Sequence, residues 1–137
     1  EWQWVAQAGA TASQYPWAGG WNAMRANNRE SGIGRTTAVG MYPLGAPPGR
    51  LVLDLAGNVW EWCRNRHARP GITGRVKDPS VGLRGGAWIS NPKNCRAAGR
   101  YRRAPDSRDG FVGFRVCRSS VLEPLRATPL NTETLER

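Results

Sequence analysis

Three kinds of side chain in this sequence could do chemistry: the thiols of Cys63, Cys95 and Cys117, the lone imidazole of His67, and the carboxylates of "LDLAGNVWEWC", Asp54 and Glu61. No C-x-x-C spacing is present, and one histidine with scattered thiols assembles neither a zinc knuckle nor a zinc hydrolase site. An odd cysteine count leaves at least one thiol free or paired with another chain, and argues against a disulfide-built secreted scaffold. All three are expected as structural thiols in a packed interior. His67, in "CRNRHARPG", reads as a surface loop residue, since no base or nucleophile can be named as its partner. In "DLAGNVWEW" a carboxylate, carbonyl-presenting turn residues and a second carboxylate at short spacing can wrap a hard cation with oxygen. The competing reading pairs Asp54 and Glu61 with buried arginines or with tryptophan indole N–H groups.

A second kind of chemistry, recognition, is concentrated in "GGAWISNPKNCRAAGRYRRAPDSRDGFVGFRV", residues 85–116, where Ile, Lys, Tyr, Arg, Ser, Asp and Phe mix without a period. Tyr101, Phe111 and several arginines are residue types that dominate binding hot spots. Ser107, Gly99 and Gly110 add hydrogen bonding and room, as the small residues of antibody loops do. The bland alternative is a solvated charged loop, "RYRRAPDSRD", with Tyr101 covering the core.

The elements that must position these groups belong to a chain of 137 residues, the size of one domain with a single core. No apolar run approaches the ~20 residues that cross a bilayer. The chain opens in what reads as the last turns of an amphipathic helix ended by Gly9, with neither an initiator Met nor a signal-like segment, so an N-terminal part is expected to precede it. The net charge of +10 is almost entirely guanidinium, with Lys77 and Lys93 the only lysines. Such a balance favours anionic partners, nucleic acid included, or reflects many solvated and structurally paired arginines; their dispersal favours the latter. Gly, Pro and Asn pairs make residues 14–50 irregular surface backbone pinned by Trp17 and Trp21. Short strands are expected around Val59–Trp62, Val81–Trp88, Arg96–Tyr101 and Val112–Arg118. Residues 119–137 read as a polar extension, partly disordered. The seven tryptophans read as core rather than as a sugar-stacking platform. Arg84 and Arg115, flanking the irregular segment, read as internal ion-pair or carbonyl-bridging residues.

Seven motifs in order carry a family resemblance: "EWQWVAQAG" (1–9), "YPWAGGWNAMRAN" (15–27), "TTAVGMYP" (36–43), "LDLAGNVWEWC" (53–63), "LRGGAW" (83–88), "CRAAGR" (95–100) and "GFRV" (113–116). The chain resembles the formylglycine-generating-enzyme/sulfatase-modifying-factor family over residues 1–118. The resemblance implies an α+β fold, a loop-rich variant of the C-type lectin fold with short antiparallel strands. It also implies a structural calcium site at Asp54 and Glu61 through side-chain oxygen and at Gly57 and Val59 through main-chain carbonyls. A second calcium position would fall near Asn27, Asn28, Ser31 and Ile33, which lack an acidic residue.

The family's fold hosts copper oxidases, iron-dependent sulfoxide synthases and pure binding proteins, so the site must decide. The oxidase uses two close cysteines after the "GG-[ST]-[WY]" motif to hold copper(I), whereas here Cys95 is the only thiol of that segment and Ile89 and Ser90 occupy the early positions. One histidine cannot supply the iron site. Neither enzyme chemistry is therefore expected.

Residues 85–116 resemble instead the variable region of diversity-generating retroelement proteins, in which template adenines are miscopied and Asn codons become almost anything. The template-like pattern puts the diversified, ligand-binding positions at Ile89, Ser90, Lys93, Gly99, Tyr101, Arg102, Arg103, Ser107, Asp109, Gly110 and Phe111. Gly85, Gly86, Trp88, Pro92, Cys95, Arg96, Arg100, Pro105, Asp106, Arg108, Gly113 and Phe114 would be the fixed frame. The expected protein is thus a non-enzymatic receptor-like domain for a protein or cell-surface ligand; its compartment is left open by the sequence, a bacterial, phage or archaeal-virus surface being compatible with that role. The alternatives are an oxidase of the same family and a polyanion-binding module.

Overall fold

The computed structural model describes residues 1–9, 13–66 and 80–118. Helix α1, Trp2–Ala6, ends where the sequence places its stop: Ala8 and Gly9 adopt left-handed φ values of 50° and 81°, and Gly9 N donates to Trp4 O. Residues 13–50 then run as irregular backbone carrying short 3-10 turns at Ala23–Arg25, Arg29–Ser31 and Pro43–Gly45. Asn22 and Asn28 start the first two, their side chains accepting from Met24 N and Glu30 N.

Among the described residues, four strands form one curled sheet in the order β3-β2-β1-β4: β1 Trp60–Arg66, β2 Val81–Arg84, β3 Tyr101–Arg103 and β4 Val112–Gly113. The β1–β2 and β2–β3 pairs are antiparallel, the first with a register shift between Trp62 and Arg66. β4 departs from the antiparallel expectation, running parallel to β1 with Trp60 opposite Val112 and Glu61 opposite Gly113. Such a strand cannot follow its neighbour by a tight turn. Residues 104–111 accordingly pass from one sheet edge to the other, and Phe111 O accepts from Trp60 N at 2.9 Å on the way.

Three strands are shorter than the sequence suggests, whereas β1 runs past Trp62 to Arg66. β2 stops at Arg84 because Gly85 and Gly86 turn to φ 96° and 79°, and a Cβ on Gly86 would lie 2.6 Å from Cys95 Sγ. The strand expected at Arg96–Tyr101 begins only at Tyr101; a 3-10 turn, Pro92–Cys95, and a Gly99 N to Arg96 O turn occupy the approach.

Among the described residues, the buried apolar side chains gather in three small clusters. Tyr15, Trp17, Ala26, Ala56 and Cys95 form one, with Trp21 against it; Ala6, Leu55 and Ala97 form a second, flanked by Trp2; Trp60, Leu83 and Ala87 form the third, flanked by Trp62 and Phe111. Tyr15, Trp17 and Trp21 have mutual centroid distances of 5.1–5.5 Å. Trp4 is the departure from the core reading: it is 57% exposed, with Arg50 4.4 Å above its ring.

Candidate ligand-binding surface

Tyr101 and Arg103 stand two apart on edge strand β3, which puts them on one face of the sheet. The Tyr101 ring stacks on Trp60 at 5.3 Å and 26°, so a half-exposed aromatic rests on a buried one. Arg103 lies across this platform, its guanidinium 4.6 Å from the Tyr101 ring centroid and 5.6 Å from that of Phe111. Arg103 Nη1 donates to Tyr101 Oη at 2.6 Å and Nε to Asp109 Oδ2 at 2.8 Å. The hydrogen bond to Asp109, then that to Tyr101, raises the Arg103 pKa further above its ordinary value. Four of the expected variable positions, Tyr101, Arg103, Asp109 and Phe111, are thereby one connected unit.

The remaining positions sort by burial. Gly110 O accepts from Trp88 Nε1 at 3.4 Å, which joins the crossing loop to the segment holding Ile89, itself 42% exposed. Arg102 and Lys93 are exposed, and Ser107 is half-exposed in the turn closed by its N–H on Ala104 O. Ser90 and Gly99 do not behave as interchangeable surface positions. Ser90 is 5% exposed and its Oγ accepts from Ala87 N at 3.0 Å, so it holds the backbone turn after Gly86. A Cβ on Gly99 would meet Arg96 O at 2.8 Å and Asn94 O at 3.0 Å, leaving no space for a side chain. The sequence reading missed Arg29, whose Nε donates to Ile89 O at 3.1 Å and whose N–H donates to Ser90 O at 3.0 Å. Nothing in the chain order signals that contact.

The oxygens of residues 53–61 wrap a guanidinium. Arg115 Nε donates to Glu61 Oε2 at 2.6 Å, and Nη2 reaches Glu61 Oε1, Leu53 O and Asp54 O. Trp2 Nε1 takes Glu61 Oε2 as well, at 2.7 Å. Asp54 Oδ2 accepts from Gly40 N at 2.7 Å, while Gly57 N donates to Gly85 O and Val59 packs against Gly113. The carboxylates of the set Asp54, Gly57, Val59 and Glu61 thus serve separate partners, Gly40 N–H for Asp54 and Arg115 with Trp2 for Glu61. The competing reading, carboxylates serving arginine and indole N–H, describes Glu61. At the second position Asn27 Nδ2 donates to Arg35 O, Ser31 Oγ donates to Asn27 Oδ1, and the buried Asn28 Nδ2 has no acceptor. Among the described residues, no three His, Cys, Asp or Glu side chains converge.

The thiols differ. Cys95 is fully buried, and burial pushes it up to about 12, away from the thiolate that metal binding or nucleophilic attack needs. Cys63 is half-buried and also raised, chiefly by burial. Cys117 is exposed, against the expectation that all three pack inside. His67 and the extension 119–137 lie outside the described residues. Arg84 bridges carbonyls, donating to Ala98 O and Gly99 O, as its place beside the segment suggests.

The family model for the sulfatase-modifying factor enzyme 1-like domain matches residues 1–120. The chain belongs to that family. Among sulfatase-modifying-factor relatives, it is 30% identical to the formylglycine-generating enzyme of Streptomyces coelicolor, over 89% of this chain and 46% of that protein. It is 31% identical to the inactive C-alpha-formylglycine-generating enzyme 2 of Mus musculus, over 90% of this chain and 42% of that one. The chain thus spans less than half the length of these relatives, and the family holds active and inactive members alike. Of solved structures, Treponema denticola variable protein 1 matches with a TM-score of 0.65 at 26% identity, over 83% of this chain and 43% of that one. PvdO from Pseudomonas aeruginosa matches equally, with a TM-score of 0.65 at 26% identity, over 82% and 48%. The loop-rich, C-type-lectin-like α+β fold expected of a sulfatase-modifying-factor domain is therefore the fold found. No helix among the described residues is long and apolar enough to cross a membrane.

Proposed function

We propose that this domain is a non-enzymatic, receptor-like binding module whose surface within residues 89–111 is diversified by a diversity-generating retroelement to bind varied protein or cell-surface ligands. The observation that carries the reading is the Tyr101–Arg103–Asp109–Phe111 unit on an exposed sheet edge, backed by buried Trp60. Rigid aromatics and a pre-oriented guanidinium lose little entropy on binding, and they are the groups that anchor interfaces. Similarity to a structure named as a variable protein supports the same reading. The buried, protonated Cys95 supports a binding role over copper oxidase chemistry, which requires thiolates.

The test is sequencing of codons 84–118 across a natural population, compared with any near-identical repeat beside a reverse transcriptase gene. Substitutions gathered at Ile89, Lys93, Tyr101–Arg103, Ser107 and Asp109–Phe111, opposite template adenines, are expected. Uniform variation with no repeat would overturn the reading. Copper(I)-dependent turnover of a cysteine peptide by the purified protein would replace it with the oxidase reading.

A further inference from the structure

The guanidinium at the centre of the Tyr101 platform is held on two sides and open on a third. Arg103 Nε is engaged by Asp109 Oδ2 at 2.8 Å, and Nη1 gives one hydrogen to Tyr101 Oη at 2.6 Å. Among the described residues Nη2 meets no acceptor. The Tyr101 and Phe111 rings, 4.6 and 5.6 Å from the guanidinium carbon, hold its plane. What remains is an oriented pair of donors, Nη2 with the second hydrogen of Nη1, and that edge grips a carboxylate with two parallel bonds.

Arg103 and Asp109 together are neutral, so the charge that draws an anion must come from their neighbours. Arg108, exposed, adjoins Asp109, and its Nη1 donates only to the neutral Ser107 O. Arg29, also exposed, is fixed by its Nε on Ile89 O, and its terminal nitrogens carry no hydrogen bond among the described residues. Trp88 Nε1 on Gly110 O joins that patch to the platform. Glu30, beside Arg29, is engaged by Trp21 Nε1 at 2.8 Å. These cations are spaced, with Asp106 and Asp109 between them and with Ile89 and Tyr101 exposed beside them. A nucleic-acid backbone is bound through many phosphates at once and would be repelled by the two carboxylates. An acidic protein surface offers single carboxylates among apolar groups, which matches the spacing.

We infer, building on the binding role proposed above, that this surface takes an acidic protein segment, seating one Asp or Glu carboxylate on the open edge of Arg103 and an apolar neighbour against Tyr101 and Phe111. Position 103 is among the diversified ones, so the preference belongs to this variant and not to the frame.

The experiment selects displayed random linear peptides on the immobilised whole chain, then measures the affinity of the enriched peptides as synthetic copies. Enrichment of Asp or Glu beside an aromatic or aliphatic residue is expected. Arg103→Gln should weaken these peptides about tenfold, the effect of losing one charge-assisted contact, and amidating the peptide carboxylate should cause no further loss in that variant. Arg103→Lys, which keeps the charge without the fork, should lose nearly as much. Arg35→Gln, which removes an exposed charge elsewhere, should bind as the parent does. Peptides that lack a carboxylate preference yet weaken with Tyr101→Ala would overturn the acidic partner and leave the binding role standing. Full affinity in Arg103→Lys, or equal losses in Arg103→Gln and Arg35→Gln, would overturn it as well. No enrichment of any peptide, or tighter binding of a DNA duplex than of every peptide, would remove the protein-binding role and the acidic partner together.

Discussion

Arg115 and Glu61, 54 residues apart in sequence, meet end to end, with Nε 2.6 Å from Oε2 and Nη2 2.5 Å from Oε1. Glu61 is 4% exposed, and the same guanidinium bonds two carbonyls of the preceding loop. The pair thereby ties β1 to residues 53–54 and to the segment after β4.

Removing one member of such a pair leaves an uncompensated charge, at a cost of ~3–5 kcal/mol when it is buried. Arg115→Met should therefore lower the denaturation midpoint strongly. Glu61→Gln should cost less, because the stranded arginine side chain is 31% exposed and water can reach it. Chemical denaturation of both variants measures the order; equal losses would count against it. Calcium or a chelator should leave the melting temperature unchanged, whereas a saturable rise with calcium would restore the cation reading of this loop.

Arg103 and Asp109 are both partly exposed, so their pair should add little to stability. Arg103→Ala is expected to cost within ~1 kcal/mol, yet to speed amide exchange across residues 104–111 by releasing Asp109 and Phe111. Hydrogen-exchange mass spectrometry checks this, and unchanged protection would remove the case for pre-organisation by Arg103.

Tolerance should divide the candidate variable positions in two. Gly99→Ala must push against two carbonyl oxygens and should cost ~1–3 kcal/mol. Ser90→Ala strands the buried Ala87 N–H and should cost a similar ~1–3 kcal/mol. Substitutions at Lys93, Arg102 and Gly110 should stay within ~0.5 kcal/mol. A protease-resistance screen of a library at these five positions would read the split directly; tolerance at Gly99 equal to that at Lys93 would contradict the packing described.

Cys117 should react first with iodoacetamide in the native protein, Cys63 more slowly and Cys95 only on unfolding, as peptide mapping would show. The folded Cys95 thiol, at about 12, lies above its ordinary value of 9.0. Its protonated burial is therefore fully compatible with folding below pH 9.0, and stability is lost as pH rises from there toward 12. The slope is up to ~1.4 kcal/mol per pH unit for this one group. Cys95→Ala should flatten the pH dependence of the denaturation midpoint by that amount; an unchanged slope would mean that the thiol is not protected.

The fold class was legible because glycines, tryptophans and turn residues stand in an order that few folds require. Gly9, Gly85 and Gly86 stop elements where their left-handed backbone says they must. Strand lengths and the direction of β4 were not legible. A two-residue strand has no period to detect, and whether it runs parallel depends on where the preceding loop carries it. The variable surface was visible as residue types, but its inward members were not. Ser90 and Gly99 look polar and small like their neighbours, and only the carbonyls around them reveal that they face the interior.

By itself, the sequence determined which residues are available: one thiol in the segment after Gly85–Gly86, a basic balance carried by arginine, and a Tyr–Arg–Asp–Phe mixture between glycine-rich frames. Only the tertiary structure decided who meets whom. Glu61 chose Arg115 and Trp2, and Arg103 chose Asp109. The physical reason is that charge pairing and burial depend on distance through space, and the chain's many arginines offered each carboxylate several partners that local sequence cannot rank.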